Sequence, residues 1–263
     1  MYTISVKEIQ WTLLRMPLLK GEAVMYVNQE RCVGCGLCVP YCPVGAIRIE
    51  NRKAAIDPEA CVECSCCKRS NVCRKEAILQ DELAWPRGIR SVMSDVFTVF
   101  EGTNVSGRGT EEMKTNEVTG RFVPGWVGMA VEVGRPVAGC TFRQVQEIST
   151  YLASKGGVEF EPCNPITAMM KDNKTGYFRD DILDERVYSA ILEFPVKVDK
   201  MAEILKLCKE AAKQTATLFS LDVASVTINA QNEEVLKIIE ECGISVRPNG
   251  KVNLGLGRPL HKF

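Results

Sequence analysis

Histidine is almost missing from this chain. His261 is the only one among 263 residues and lies close to the end, so metal sites that mix thiolate and imidazole ligands are nearly excluded. Net charge is missing too: 33 basic residues meet 33 acidic ones, whereas a nucleic-acid partner would call for a basic surface. Lys7, Glu8, Arg15 and Lys20 interrupt the stretch from Met1 to Gly21, leaving no apolar run long enough for a secretory core or a membrane span. No Gly-Lys-Ser/Thr phosphate loop occurs, and Gly107-Arg108-Gly109 lacks the third glycine of the dinucleotide fingerprint. No nucleotide site is expected. Low-complexity tracts are absent, and the one internal repeat is a doubled cysteine pattern.

Cysteine is what the chain has in excess, with 13 in all. Cys32, Cys35, Cys38 and Cys42 form a C-x2-C-x2-C-x3-C run followed by Pro43, and Cys61, Cys64, Cys67 and Cys73 repeat the theme. A zinc site takes four ligands in one tetrahedron and would leave half of this set unused. A disulfide framework belongs to small secreted domains in oxidising compartments, and no signal peptide supports that here. Iron–sulfur clusters require thiolate sulfur, and a run ending in Cys-Pro is their bacterial signature. The short spacers let three thiolates on one tight loop cap three corners of a cubane, with the fourth ligand coming from elsewhere.

The segment from Ala23 to Leu83 resembles a bacterial-type ferredoxin carrying two 4Fe–4S clusters. Val39-Pro40-Tyr41-Cys42-Pro43-Val44-Gly45-Ala46-Ile47 is similar to what that family places after its first cluster loop, and Asn71-Val72-Cys73-Arg74-Lys75-Glu76-Ala77-Ile78 resembles the second copy. Such ferredoxins exchange fourth ligands between halves. The resemblance therefore implies Cys32, Cys35, Cys38 and Cys73 for one cluster, and Cys42, Cys61, Cys64 and Cys67 for the other. The second half departs from the pattern: five residues separate Cys67 from Cys73, Arg74 replaces a proline, and Cys66 stands beside Cys67. Cys67 keeps the family spacing and is assigned as the ligand, with Cys66 a bystander. A labile or three-iron second cluster is the alternative.

Apolar residues at 46% and charged residues at 25% are ordinary globular composition. At roughly 150 residues per domain the length predicts about two domains. Residues 1–22 read as a leader packed on the rest, 23–84 as the dicluster ferredoxin domain, and 85–263 as an α+β domain with subdomains 85–185 and 186–263. Trp85-Pro86-Arg87-Gly88 marks the boundary by its punctuation. Val92–Phe100, Trp126–Val133, Val158–Phe160, Val187–Val198, Ala224–Ile228 and Ile244–Leu254 read as strands. Thr141 opens a helix facing inward through Phe142, Val145, Ile148 and Leu152, which Gly156 and Gly157 stop. Asp199 is expected to cap a helix with inner face Met201, Ile204, Leu205, Cys208 and Ala212. Asn232 caps another, with Glu233 and Glu234 in its first turn and Gly243 closing it. The fold class is α+β: a dicluster ferredoxin domain followed by a mixed domain, with a ferredoxin-like or ACT-like sandwich favoured. Residues 86–263 carry no motif that identifies a family.

Outside the clusters, Glu101–Arg121 concentrates glycine, threonine and charge, and loops of that length are commonly functional. Arg108, Lys114 and Arg121 are its candidate ligand or docking residues, although four glutamates outnumber them. Cys140, Cys163, Cys208 and Cys242 stand alone in sequence. Cys208 and Cys242 are read as buried hydrophobes, and Cys140 as a minority candidate for a reactive thiol. Asp172, Asp180, Asp181, Asp184 and Glu185 read as a solvated acidic face. Lys68 and Arg69, with Arg74 and Lys75, are candidate docking bases. A charge about 7 Å from a cluster is worth roughly 2 kcal/mol at a dielectric near 20, or about 0.1 V for one electron.

The functional expectation is a cytoplasmic, anaerobic electron-transfer subunit of a larger oxidoreductase, passing single electrons through two 4Fe–4S clusters without catalysing a reaction itself. The alternative is a ferredoxin-fused reductase or a small-molecule sensor whose ligand site lies in residues 86–263.

Overall fold

The computed structural model describes residues 24–100, 105–106, 123–135, 139–162, 164–225 and 231–246. The expected leader, Arg108, Lys114, Arg121, Cys163 and most of the expected last strand lie outside them. Helix and strand are mixed, as in an α+β chain. The chain falls into two compact units. The first comprises the described residues up to Ser106, with 139–143 and 180–190; the second comprises the others.

In the first unit, β1 (Met25–Val27) pairs antiparallel with β4 (Ile78–Gln80), Val27 facing Ile78. β2 (Ile47–Glu50) and β3 (Lys53–Ile56) form a hairpin with Glu50 opposite Lys53. Its turn residues Asn51 and Arg52 have φ of 48° and 60°, the primed geometry that matches strand twist. Met25, Val27, Ile47 and Ile78 form a small core in which Ala46, Ala54 and Ala77 occupy much of the remainder, together with Cys32, Cys38, Cys61 and Cys67. No large aromatic belongs to this cluster, so side chains leave space beside the cysteines. The short helix α1 (Cys66–Arg69) follows the second cysteine of the second run and carries the third.

The expected strand from Val92 to Phe100 is a helix at its start: α2 spans Gly88–Ser94. Gly88 through Met93 are all buried, and packing on every side of this short helix overrides the β preference of valine. Strand pairing is confined to Val99–Phe100 with Val105–Ser106. Cys140–Thr141 pairs with Arg186–Val187. Just beyond it, the amides of Phe142 and Arg143 donate to the carbonyls of Glu185 (3.1 Å) and Leu183 (2.8 Å), which satisfies donors that a helix start leaves open.

In the second unit, β5 (Trp126–Val133) runs between β6 (Ala190–Lys197) and β7 (Phe219–Ala224). β7 is antiparallel to it, with Phe219 opposite Val133 and Ala224 opposite Gly128. Val127, Met129, Ala130 and Val131 are all buried, as on a strand covered on both faces. α3 (Phe142–Gly156) buries the expected Phe142, Val145, Ile148 and Leu152, and Gly157 at φ 61° ends it. A Cβ on Gly156 would come within 2.7 Å of Ile204, so this glycine permits a close approach to α4 (Met201–Gln214).

Several boundaries differ from expectation. The inner face of α4 closes on Ala211 and not Ala212, because Met201, Ile204, Leu205, Cys208 and Ala211 hold the helical period. Asp199 sits within a 3-10 turn and Lys200 stands at the helix start without a side-chain cap. α5 (Gln231–Glu241) already contains Asn232, with Glu233 and Glu234 in its first turn as expected. The preceding Gln231 is buried and joins the amide of Gly125 (2.7 Å) to the carbonyl of Trp126 (2.9 Å). A strand spans Phe219–Ala224, and most of the strand expected at Ala224–Ile228 lies outside the described residues. Val158–Phe160 is not a strand; the Phe160 amide bonds to the Asn173 carbonyl at 3.0 Å. Val187–Val198 divides into Arg186–Val187 and β6. Gly243 closes α5, its amide bonded to Glu240, and Cys242 is only half buried whereas Cys208 is buried.

Candidate metal centre

The two cysteine runs fold as two copies of one local design. Asn28 and Asp57 each precede the first cysteine of a run by four residues. The Asn28 side chain accepts from the amides of Glu30 and Arg31 (both 3.0 Å), and Asp57 accepts from Glu59 (2.9 Å) and Ala60 (3.3 Å). Their carbonyls receive the amides of Cys32 and Cys61, both at 3.0 Å. Their own amides donate to Ala77 (2.7 Å) and Ala46 (2.9 Å) respectively, so each half is tied to the end of the other run.

The loops match residue by residue. Gly34, Gly36 and Gly45 have φ of 69°, 75° and 66°; Glu63, Ser65 and Glu76 occupy the corresponding positions at 54°, 55° and 48°. Gly34 is required where it stands, since a Cβ there would lie 2.0 Å from the Arg52 carbonyl oxygen. In the second run the longer interval from Cys67 to Cys73 is taken up by α1, where Ser70 caps back onto the Cys67 carbonyl (2.8 Å).

Backbone donors point at sulfur. The amides of Ala46, Ala77 and Ala54 approach the sulfurs of Cys42 (3.1 Å), Cys73 (3.3 Å) and Cys32 (3.4 Å). Cys42, Cys61, Cys64 and Cys67 line one pocket, otherwise walled mainly by Met25, Val44, Ile47 and Ile56. Burial pushes the Cys38 thiol up, with Cys35, Cys73 and Cys32 adding to the effect as neighbouring charges. Burial likewise raises Cys61 to about 12, with Glu63 contributing, Cys64 to about 12 and Cys67 to about 11. Thiols raised this far stay protonated at neutral pH, so their thiolate form has to be drawn out by a bound metal's charge.

This donor set fits an iron–sulfur group. It is all soft sulfur, four of its cysteines line one pocket, and backbone N–H groups face the sulfurs. Among the described residues no three His, Cys, Asp or Glu side chains gather on a single-ion site.

The two loops differ in exposure. Cys35 is exposed, and Val33 and Leu37 beside it are 61% and 50% exposed. In the second loop Cys61, Cys64 and Cys67 are buried and only Cys66 is exposed. Glu63, fully buried, holds this loop from within: it bonds Arg87 (2.7 Å), Gln80 (3.0 Å) and the Met25 amide (3.3 Å). Arg90, 3% exposed, donates to the carbonyls of Pro58 (2.9 Å), Glu59 (3.3 Å) and Cys61 (2.8 Å) and pairs with Glu185. Sequence reasoning missed Glu63, Arg87 and Arg90. Aligning the two runs would have exposed Glu63, a carboxylate at the left-handed position that Gly34 fills in the other copy.

Lys68 is exposed, as a docking base would be. Arg69 is occupied: it pairs with Asp95 (2.6 Å), donates to the Cys64 carbonyl (2.7 Å) and lies 4.9 Å from the Phe97 ring centre. Cys140 is buried at 1% exposure, which removes the access that a reactive thiol needs. The acidic group is not a single solvated face. Asp181 accepts from the Trp85 indole (2.7 Å), Asp184 pairs with Arg143 (2.6 Å), Glu185 pairs with Arg90, and Asp172 holds its own turn through the Lys174 amide (3.0 Å).

Among the described residues no helix is long and apolar enough to cross a membrane. Residues 25–48 match the 4Fe-4S binding domain family. The chain is 41% identical over 59 residues to one subunit of the ion-translocating oxidoreductase complex of Methanosarcina acetivorans, covering 22% of each protein. It is 48% identical over 33 residues to an uncharacterized ferredoxin of Methanocaldococcus jannaschii, 12% of this chain and 22% of that one. It is 44% identical over 32 residues to a ferredoxin of Rickettsia felis, 12% of this chain and 29% of that one. The chain thus spans less than a third of the length of these relatives. No solved structure matches it. The loop geometry and these likenesses agree that the chain carries, at residues 25–48, a 4Fe–4S ferredoxin domain of the electron-transfer kind.

Proposed function

We propose that this chain is an electron-transfer subunit of an anaerobic, cytoplasmic oxidoreductase complex, with two 4Fe–4S clusters. Cys32, Cys35, Cys38 and Cys73 would hold one cluster; Cys42, Cys61, Cys64 and Cys67 would hold the other. The observation that carries the reading is the common pocket of Cys42, Cys61, Cys64 and Cys67. It joins the last cysteine of one run to the first three of the other, which is the ligand exchange of dicluster ferredoxins. A 4Fe–4S cluster supplies one-electron chemistry: each passage takes one electron from a reduced donor and delivers it to an oxidised acceptor.

The chain's own residues hold the thiolates, present N–H donors to sulfur and set local charge and burial. The exposed loop around Cys35 supports electron exchange with another protein, and Lys68 supports docking onto an acidic surface. The likeness to a member of an ion-translocating complex supports a protein partner. Residues 85–263 are read as a mixed α+β domain, a ferredoxin-like or ACT-like sandwich serving that docking, which their alternation of strands and helices supports.

The test is anaerobic purification of the untagged protein from its native source, with iron content, mass and partner stoichiometry measured. The expected result is about eight irons per chain in a fixed complex with a larger protein. A lone chain with eight irons would overturn the subunit reading, and four irons would overturn the two-cluster reading.

A further inference from the structure

The repeat of local design extends to a pair of cations that the ligand sets do not include. In the first half, the Lys53 ammonium donates to the carbonyls of Cys32 and Gln29. In the second half, the positions corresponding to Gln29 and Cys32 are Pro58 and Cys61. Their carbonyls are held by the Arg90 guanidinium, at 2.9 and 2.8 Å. The first half draws its cation from its own hairpin, on β3. The second draws it from α2, beyond the second cysteine run, and anchors it on Glu185, which is 95 residues away in sequence. Arg90 is 3% exposed and Glu185's side chain 14%, so water screens this pair poorly.

We propose that Lys53 and Arg90 are paired positioning residues. Each is a cation that fixes the carbonyl of the first cysteine in its loop, and Glu185 sets how much of Arg90's charge the second cluster feels. The proposal rests on the two-cluster reading. An electron added to a cluster is favoured by a nearby cation and disfavoured by the anion that compensates it. Glu185→Gln leaves Arg90's charge less compensated, so it raises the potential of the second cluster alone. Lys53→Gln removes the first loop's cation, so it lowers the other potential alone. Asp184→Asn makes the same charge change next door, at an exposed carboxylate paired with exposed Arg143, and moves neither.

The experiment is an anaerobic redox titration of the full chain followed by electron paramagnetic resonance, with iron content measured in every variant. The expected result for Glu185→Gln is a roughly tenfold rise in one cluster's reduction equilibrium constant, about 59 mV for one electron. Lys53→Gln should move the other signal downward. If Glu185→Gln leaves both potentials in place, or shifts both equally, the proposal is overturned. The same holds if Asp184→Asn matches its shift, or if Lys53→Gln acts on the same signal. Arg90→Lys gives an independent check should Glu185→Gln fail to fold. Because lysine does this work in the first half, Arg90→Lys should keep eight irons and a near-native second potential; loss of the second cluster would overturn the equivalence. Four irons in the unaltered chain would instead overturn the two-cluster reading itself.

Discussion

Glu63 stands at φ 54° where the equivalent residue of the other cysteine run is Gly34 at φ 69°. The two positions share a backbone conformation and differ in everything else. Gly34 is there because the Arg52 carbonyl leaves no room for a side chain. Glu63 accepts the left-handed cost, about 1–2 kcal/mol for a residue with a Cβ, and buries a carboxylate that gathers Arg87, Gln80 and the Met25 amide.

Gly34→Ala should therefore damage the first cluster loop specifically. Its Cβ would meet backbone at 2.0 Å, while the same change at Gly45 meets nothing within 4 Å and carries only the cost of positive φ. Iron analysis should find about four irons fewer in Gly34→Ala and a normal content in Gly45→Ala. Equal content in both variants would refute the steric argument.

Arg87→Met should leave Glu63 buried without its cation. Breaking a buried pair from one side costs about 3–5 kcal/mol, and Arg87 is 16% exposed against 0% for Glu63. Denaturant unfolding under anaerobic conditions should show a large loss of stability. The double change Arg87→Met with Glu63→Gln should recover part of it.

Asp57 should add an acid-side pH dependence that Asn28 does not. The amides of Ala60 and Glu59, with Arg48 assisting, hold its carboxyl below the ordinary value. A lowered folded pKa means a contribution present above the unfolded value, about 3.9, and lost as pH falls through the folded one. Asp57→Asn keeps the turn, since asparagine makes the same turn at Asn28. The gap in unfolding midpoint between the two proteins should thus narrow below about pH 4. A gap constant with pH would contradict this.

Thiol labelling should separate the cysteines by environment. Cys66 is exposed and should react with iodoacetamide in the native, loaded protein without release of iron. Cys208, buried in α4 and raised to about 12 by burial, should react only after unfolding. Iron released in step with Cys66 labelling would make Cys66 a ligand in place of Cys67.

Much was legible from residue order alone. The Cys-x2-Cys spacing and the Cys-Pro ending point to the 4Fe–4S domain that the family match places at residues 25–48, because ligand spacing is a local property of the chain. Trp126–Val133 and the helix closing at Gly156-Gly157 were equally readable, since a buried strand and a glycine stop need only near neighbours. The Val92–Phe100 assignment failed because short apolar segments suit strand and helix alike, and only the packing that buries Gly88 through Met93 decided between them.

What the tertiary structure alone decided is which distant groups surround the second loop. Arg90 reaches the Cys61 carbonyl across 29 residues and Glu185 across 95, while Arg69, which looked like a free docking base, is spent on Asp95 and Cys64. Residue order pointed to soft-sulfur chemistry at residues 25–48, because thiolates at short spacing suit few other groups. Folding determined the electrostatic setting of those thiolates, because burial and charge pairing depend on neighbours that no local spacing specifies.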